Sequence, residues 1–165
     1  MMNTNGVEVL ERFKGLCNTA HSDPHVGGLG RRFNFIRPPA VDDAIRFAKE
    51  EYVIRDEEEF SSFIARIPKT VAIFMPSPPP SKDALLRHPK IDFQNHMVLV
   101  IVAHEPNCFI DLEIVGVKLE GKAMQVLCRY GEPGPIVQKV IRHGAYCAVV
   151  VNRFDGDVVF IRNSD

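Results

Sequence analysis

With 165 residues, 45% of them apolar and 25% charged, the chain is long enough for one domain with a sizeable hydrophobic core and has an ordinary globular composition. Twenty basic residues against 21 acidic ones give a net charge of −1, which excludes both the basic excess of a nucleic-acid binder and the acidic block of a solvating tail. Cys17, Cys108, Cys128 and Cys147 show no Cys-x-x-Cys spacing, so they read as reduced, partly buried thiols.

Residues 1–19 lack an apolar core and carry Glu8, Glu11, Arg12 and Lys14, so no signal peptide is read there and a cytoplasmic location is expected. Val7, Val9, Leu10, Phe13 and Leu16 fit one side of a short helix. The turn-rich run from His21 to Gly30 follows, and residues 1–30 are expected to be a poorly ordered segment outside a single domain at 31–165. Phe33 and Phe35 alternate with Arg32 and Asn34 in a first strand, which Pro38-Pro39 ends. Residues 40–51 fit either period, and the strand reading is preferred because it leads into Tyr52-Val53-Ile54.

Asp56 is placed as a helix N-cap, with Glu57, Glu58 and Glu59 suited to the positive helix end and Glu59 at the position that reaches back. Phe60, Phe63, Ile64 and Ile67 then recur at helical spacing until Pro68. Residues 69–74 read as a short extended piece, Pro76 to Pro80 as a stiff proline linker, and Ser81 to His88 as one or two helical turns carrying Leu85 and Leu86.

The longest apolar run, Met97 to Ala103, is too short to cross a membrane, and its lack of polar alternation predicts a central strand covered on both faces. After it, Ile110 to Val115, Ala123 to Tyr130, Ile136 to Ile141, Tyr146 to Val151 and Val158 to Ile161 read as strands, with a hairpin turn at Glu120-Gly121-Lys122. Such close strand–turn–strand spacing predicts an antiparallel meander. The expected fold class is α+β, mostly antiparallel β, with a sandwich-like or partly closed barrel sheet and one or two short helices packed on it.

Several of these pieces together resemble the C-terminal domain of the protease-complex B (PrcB-like) family. They are Tyr52 to Phe60, the prolines Pro78 to Pro80, Ile91-Asp92-Phe93 with Met97 to Val100, Glu113-Ile114, Pro133-Gly134-Pro135-Ile136-Val137 and Tyr146. The resemblance covers roughly residues 50–162. It implies a non-enzymatic accessory or protein-interaction domain that supports assembly or stability of a protein complex, with a protein partner and no cofactor. Where the family carries a Thr-Gly-Gly-Tyr-like loop after the central strand, this chain has His104-Glu105-Pro106-Asn107-Cys108-Phe109.

That loop is where specificity of this chain's own is expected. His104, Glu105, Asn107 and Cys108, with Glu132 and Pro133 of the Pro-Gly loop, are the candidate partner-binding residues. His104 and Cys108 also suggest a thiol hydrolase, since an imidazole lowers a nearby thiol's pKa, but no orienting group or oxyanion donors accompany them. A protease-inhibitor-like loop and a small-ligand-binding β domain remain open as well. His21 and His25 are separated by Pro24 and lack further ligands, so no metal site is expected. Gly27 to Gly30 lacks the Lys-Ser/Thr end of a phosphate loop. Asp92, Phe93, Phe60 and Tyr146 are assigned structural roles, with Asp92 pinning the start of the central strand and Phe93 anchoring it in the core.

Overall fold

The computed structural model describes residues 6–17, 49–70, 77, 79–103, 112–130 and 144–162. In chain order these form β1 (Val9–Cys17), β2 (Lys49–Ile54), α1 (Glu57–Ile64), a 3-10 turn (Ala84–Arg87), β3 (His96–Ala103), β4 (Glu113–Glu120), β5 (Ala123–Arg129), β6 (Gly144–Asn152) and β7 (Asp157–Arg162). The strands lie in two sheets, β1-β6-β3-β2 and β4-β5-β7, and these strands do not close into a barrel.

β3 and β6 are interior strands of the first sheet, and both are apolar on both faces, as a doubly covered strand must be. Met97, Leu99 and Ile101 of β3, with Cys147, Val149 and Val151 of β6, share one core cluster with Ile114, Val117, Met124, Val126 and Cys128 of the second sheet. The opposite side chains, Val98, Val100 and Val102 with Tyr146, Ala148 and Val150, form a second cluster with Phe60, Phe63, Ile64 and Ile67 from α1 and the turn after it. One face of the first sheet therefore meets the second sheet, and the other is covered by the helix. Each such side chain, fully withdrawn from water, contributes about 1.5–3 kcal/mol.

α1 is built as its sequence dictates. Asp56 accepts the Glu59 N–H at 2.8 Å, and the Glu59 carboxylate reaches back to the Arg55 N–H at 2.9 Å, one residue beyond the cap itself. The 3-10 turn is capped by Asp83, buries Leu85 and ends at His88 in the left-handed region, φ 53°. Gly121, at φ 62°, opens the two-residue turn between β4 and β5, where a side chain would be strained.

Three expectations are corrected. The helix read over residues 7–16 is strand β1, paired antiparallel with β6, so the stretch set outside the domain supplies an edge of the first sheet. The reason is a bulge between Val9 and Glu11, which shifts the side-chain phase: Val9 packs on the core between the sheets while Phe13 and Cys17 face the helix. The meander is replaced by an order in which β3 pairs with β2 and β6, while β4 belongs to the other sheet. Finally, β7 does not fold back on β6 but runs parallel to β5. The strand expected at 32–37, the extended piece beyond Thr70 and the strand expected at 136–141 lie outside the described residues.

The two sheets are tied at opposite corners. The Val7 N–H donates to Val117 O at 2.8 Å, so the lead-in to β1 pairs with β4. Across the molecule, the Arg55 guanidinium donates to Phe154 O and Gly156 O, and Arg153 donates to Arg55 O at 3.2 Å and Phe93 O at 2.6 Å. Main-chain oxygens that no strand pairs are thus satisfied by two arginines.

Candidate functional site

The loop residues proposed for partner contact, His104, Glu105, Asn107, Cys108, Glu132 and Pro133, all lie outside the described residues. The four assigned structural roles lie within them. Asp92 accepts the Gln94 N–H at 3.1 Å and the Asn95 side-chain amide at 2.7 Å, while its carbonyl accepts the His96 N–H at 2.8 Å. The Asn95 amide, and then the Gln94 N–H, hold its carboxyl below the usual aspartate value. Phe93 packs edge-on against Phe60 with centroids 5.6 Å apart. Tyr146 stands on β6 under α1, edge-on to Phe63 at 5.4 Å.

Residues to which the sequence pattern assigns no role gather at the helix-covered face of the first sheet. Glu50 of β2 accepts from Arg66 at 2.6 Å and from the Tyr52 hydroxyl, and Arg66 also donates to the Tyr52 oxygen at 2.8 Å. The guanidinium carbon lies 5.4 Å from the Tyr52 ring centre and 5.8 Å from that of Phe63. Burial disfavours the Arg66 cation, but Glu50 and Tyr52 outweigh it and hold the proton more firmly than usual. Deeper in, Tyr146 donates to Asp83, and Cys17 is fully buried near Arg66, Glu50 and Asp83.

This interior cluster is suited to holding α1 in place rather than to nucleophilic chemistry. Burial pushes the Cys17 thiol up to about 12, and burial also raises Cys147. Both therefore stay protonated at neutral pH, and a thiol rather than a thiolate is a poor nucleophile. Among the described residues no group of three or more His, Cys, Asp and Glu side chains has metal-site geometry. Nor is any described helix long and apolar enough to cross a membrane.

One accessible feature among the described residues is a groove of about 370 Å³ beside that cluster, lined by Tyr52, Val53 and Ile54 of β2 and by Glu58, Glu59, Ser62, Phe63 and Arg66 of α1 and its C-terminal turn. Consecutive residues of a strand point to opposite faces. A groove lined by three in a row is therefore not confined to the side chains of one face, and it lies where β2 runs beside α1. β2 is the edge strand of the first sheet among the described residues.

No family model, curated protein or solved structure matches this chain.

The groove escapes a reading of the sequence for a definable reason. Tyr52-Val53-Ile54 and Glu57-Glu58-Glu59 each speak for local structure, as a strand and as helix-end charges. Only the packing of α1 beside an edge strand puts them on two walls of one cleft. Arg66 gives a faint signal, as a cation one residue before the apolar Ile67 at the helix end.

Proposed function

We propose that this chain is a non-enzymatic protein-interaction domain of the PrcB-like kind and that its partner engages the β2–α1 groove. The observation that carries this reading is the combination of an edge strand with a helix wall, a surface that can offer both main-chain hydrogen bonds and side-chain pockets. The likeness of Tyr52 to Phe60, which spans both walls of the groove, supports the same reading. The reading includes a two-layer sandwich architecture, supported by the core cluster that β3 and β6 share with β4 and β5. His104, Glu105, Asn107 and Cys108, with Glu132 and Pro133, serve as secondary contacts.

The test is site-specific photo-crosslinking in the native source. A photoreactive phenylalanine at Ser62, exposed on the groove wall, is expected to capture one defined protein. The same group at the exposed Lys122, in the β4–β5 turn, is expected to capture none of it. Equal capture at both positions, or no adduct at Ser62, overturns the reading.

A further inference from the structure

Resting on the interaction-domain reading above, the chemistry of the groove names its occupant. We propose that it takes a short extended peptide of a partner protein, added as a further strand along Tyr52–Ile54, with lysine or arginine where it passes Glu58 and apolar side chains between.

The edge comes first. β2 pairs with β3 on one side and with no strand among the described residues on the other, the side on which an edge strand presents its N–H and C=O groups. Its two halves differ. Glu50 is engaged by Arg66 at 2.6 Å and Glu51 accepts the Tyr130 hydroxyl at 3.3 Å, so these side chains are tied to the domain itself. Tyr52, Val53 and Ile54 carry no charge to deter pairing, and it is this half that lines the groove. At about 370 Å³ the cleft falls at the small end of the ligand-site range of about 300–1,000 Å³, a match for a few residues rather than for a folded face.

Charge fixes the polarity of the occupant. Glu57, Glu58 and Glu59 are exposed on the first turn of α1. The Glu59 carboxylate is turned to the Arg55 N–H at 2.9 Å, and Glu57 lies 3.6 Å from His88. Glu58 faces the groove and makes no ion pair among the described residues. The cation at the other end of the cleft, Arg66, is already answered by Glu50. Two carboxylates, Glu58 and Glu59, line the groove against the one cation Arg66, and this excess favours a basic side chain. Val53 and the Tyr52 and Phe63 rings beside the Arg66 guanidinium give the groove its apolar lining, and an alternating peptide presents its apolar residues at every second position.

The experiment uses the full chain and an acetylated, amidated hexapeptide alternating lysine and valine. Its comparators are the glutamate–valine peptide and a lysine–valine peptide with N-methylated backbone. Amide shifts and hydrogen exchange are followed by NMR. The lysine–valine peptide is expected to shift amides of β2 and α1 and to slow exchange at Tyr52–Ile54. Binding should weaken about threefold to tenfold on Glu58→Lys or on raising salt from 50 to 500 mM, and should fail with the N-methylated peptide. Glu120→Lys, the same charge change at the distant β4–β5 turn, should leave it within about twofold.

Equal binding of the glutamate–valine peptide at the same amides overturns the charge assignment and leaves the groove reading intact. Shifts without slowed exchange, or unchanged binding after N-methylation, overturn strand addition. If no peptide perturbs β2 or α1, the inference is overturned, and capture at Ser62 decides separately whether the interaction-domain reading stands.

Discussion

The Tyr146 hydroxyl donates to Asp83 Oδ1 at 2.7 Å, joining an interior strand to the cap of the 3-10 turn directly above Gly15. Gly15 is paired with Tyr146 across β1 and β6, and a Cβ there would lie 1.9 Å from Asp83 Oδ2 and 2.8 Å from the Tyr146 ring. The contact exists because β1 has no side chain at this position.

Gly15→Ala should therefore destabilise the domain by about 1–3 kcal/mol, the usual cost of overpacking. Chemical denaturation would show the shift in midpoint. Tyr146→Phe removes only the hydrogen bond and should cost about 1 kcal/mol. Gly15→Ala and Asp83→Ala together should cost less than the sum of the two alone, because Asp83→Ala removes the nearest clashing atom while losing its own bonds to Leu85 and Tyr146. A Gly15→Ala chain as stable as the parent would mean that β1 does not pack against Asp83.

Alkaline pH should weaken the fold through Cys17. Its thiol is pushed up from 9.0 to about 12, first by burial, with Glu50 and Asp83 adding to the rise and Arg66 opposing it. The folded state thus holds this proton at pH values where the unfolded chain has released it. The contribution is whole below pH 9.0 and is lost as pH climbs from there toward about 12. Cys17→Ala should flatten the fall in stability across that window. Burial also raises Tyr52, Tyr130 and Tyr146, so part of the slope should persist. Identical slopes in the two chains would remove Cys17 from the account.

Asp56→Ala should cost about 1 kcal/mol by taking the acceptor from the Glu59 N–H, with the loss seen as a lower denaturation midpoint and unchanged slope. Asp56→Asn should retain most of the stability. Loss of cooperativity instead of a shifted midpoint would show that α1 docks independently of its cap.

Glu50 and Arg66 should be energetically coupled. A double-mutant cycle with Glu50→Gln and Arg66→Met is expected to give an interaction of about 1–2 kcal/mol, since both side chains are partly buried and bonded at 2.6 Å. A coupling near zero would place the pair with ordinary surface salt bridges.

The parts of this fold that are local in sequence were legible in it. Asp56, Glu59, Phe60 and Phe63 specify α1 within one short window, and β3 announces its double burial by composition alone. What was not legible depends on partners far along the chain. The bulge between Val9 and Glu11 breaks the alternation that would have marked β1, and a second bulge between Ile114 and Gly116 does the same within β4. No local pattern could disclose that β7 runs parallel to β5, because β6 stands between them in sequence but in the other sheet. The groove was hidden for the same reason: its two walls become neighbours only once β2 takes the outer position beside β3.

The pairing of β1 with β6 also sets the order of events during synthesis. β1 leaves the ribosome well before its pairing partner β6, which begins only at Gly144. Until Gly144 to Asn152 have been made, Phe13 and Cys17 have no β6 to lie beside, and β3 lacks one of its two neighbours. So late a closure makes for slow folding and a nascent chain that displays apolar strands. Chains released before Gly144 would carry α1, its cap and the β2–β3 pairing but neither of the two pairings that β6 makes, and they should be prompt substrates for chaperones and proteases.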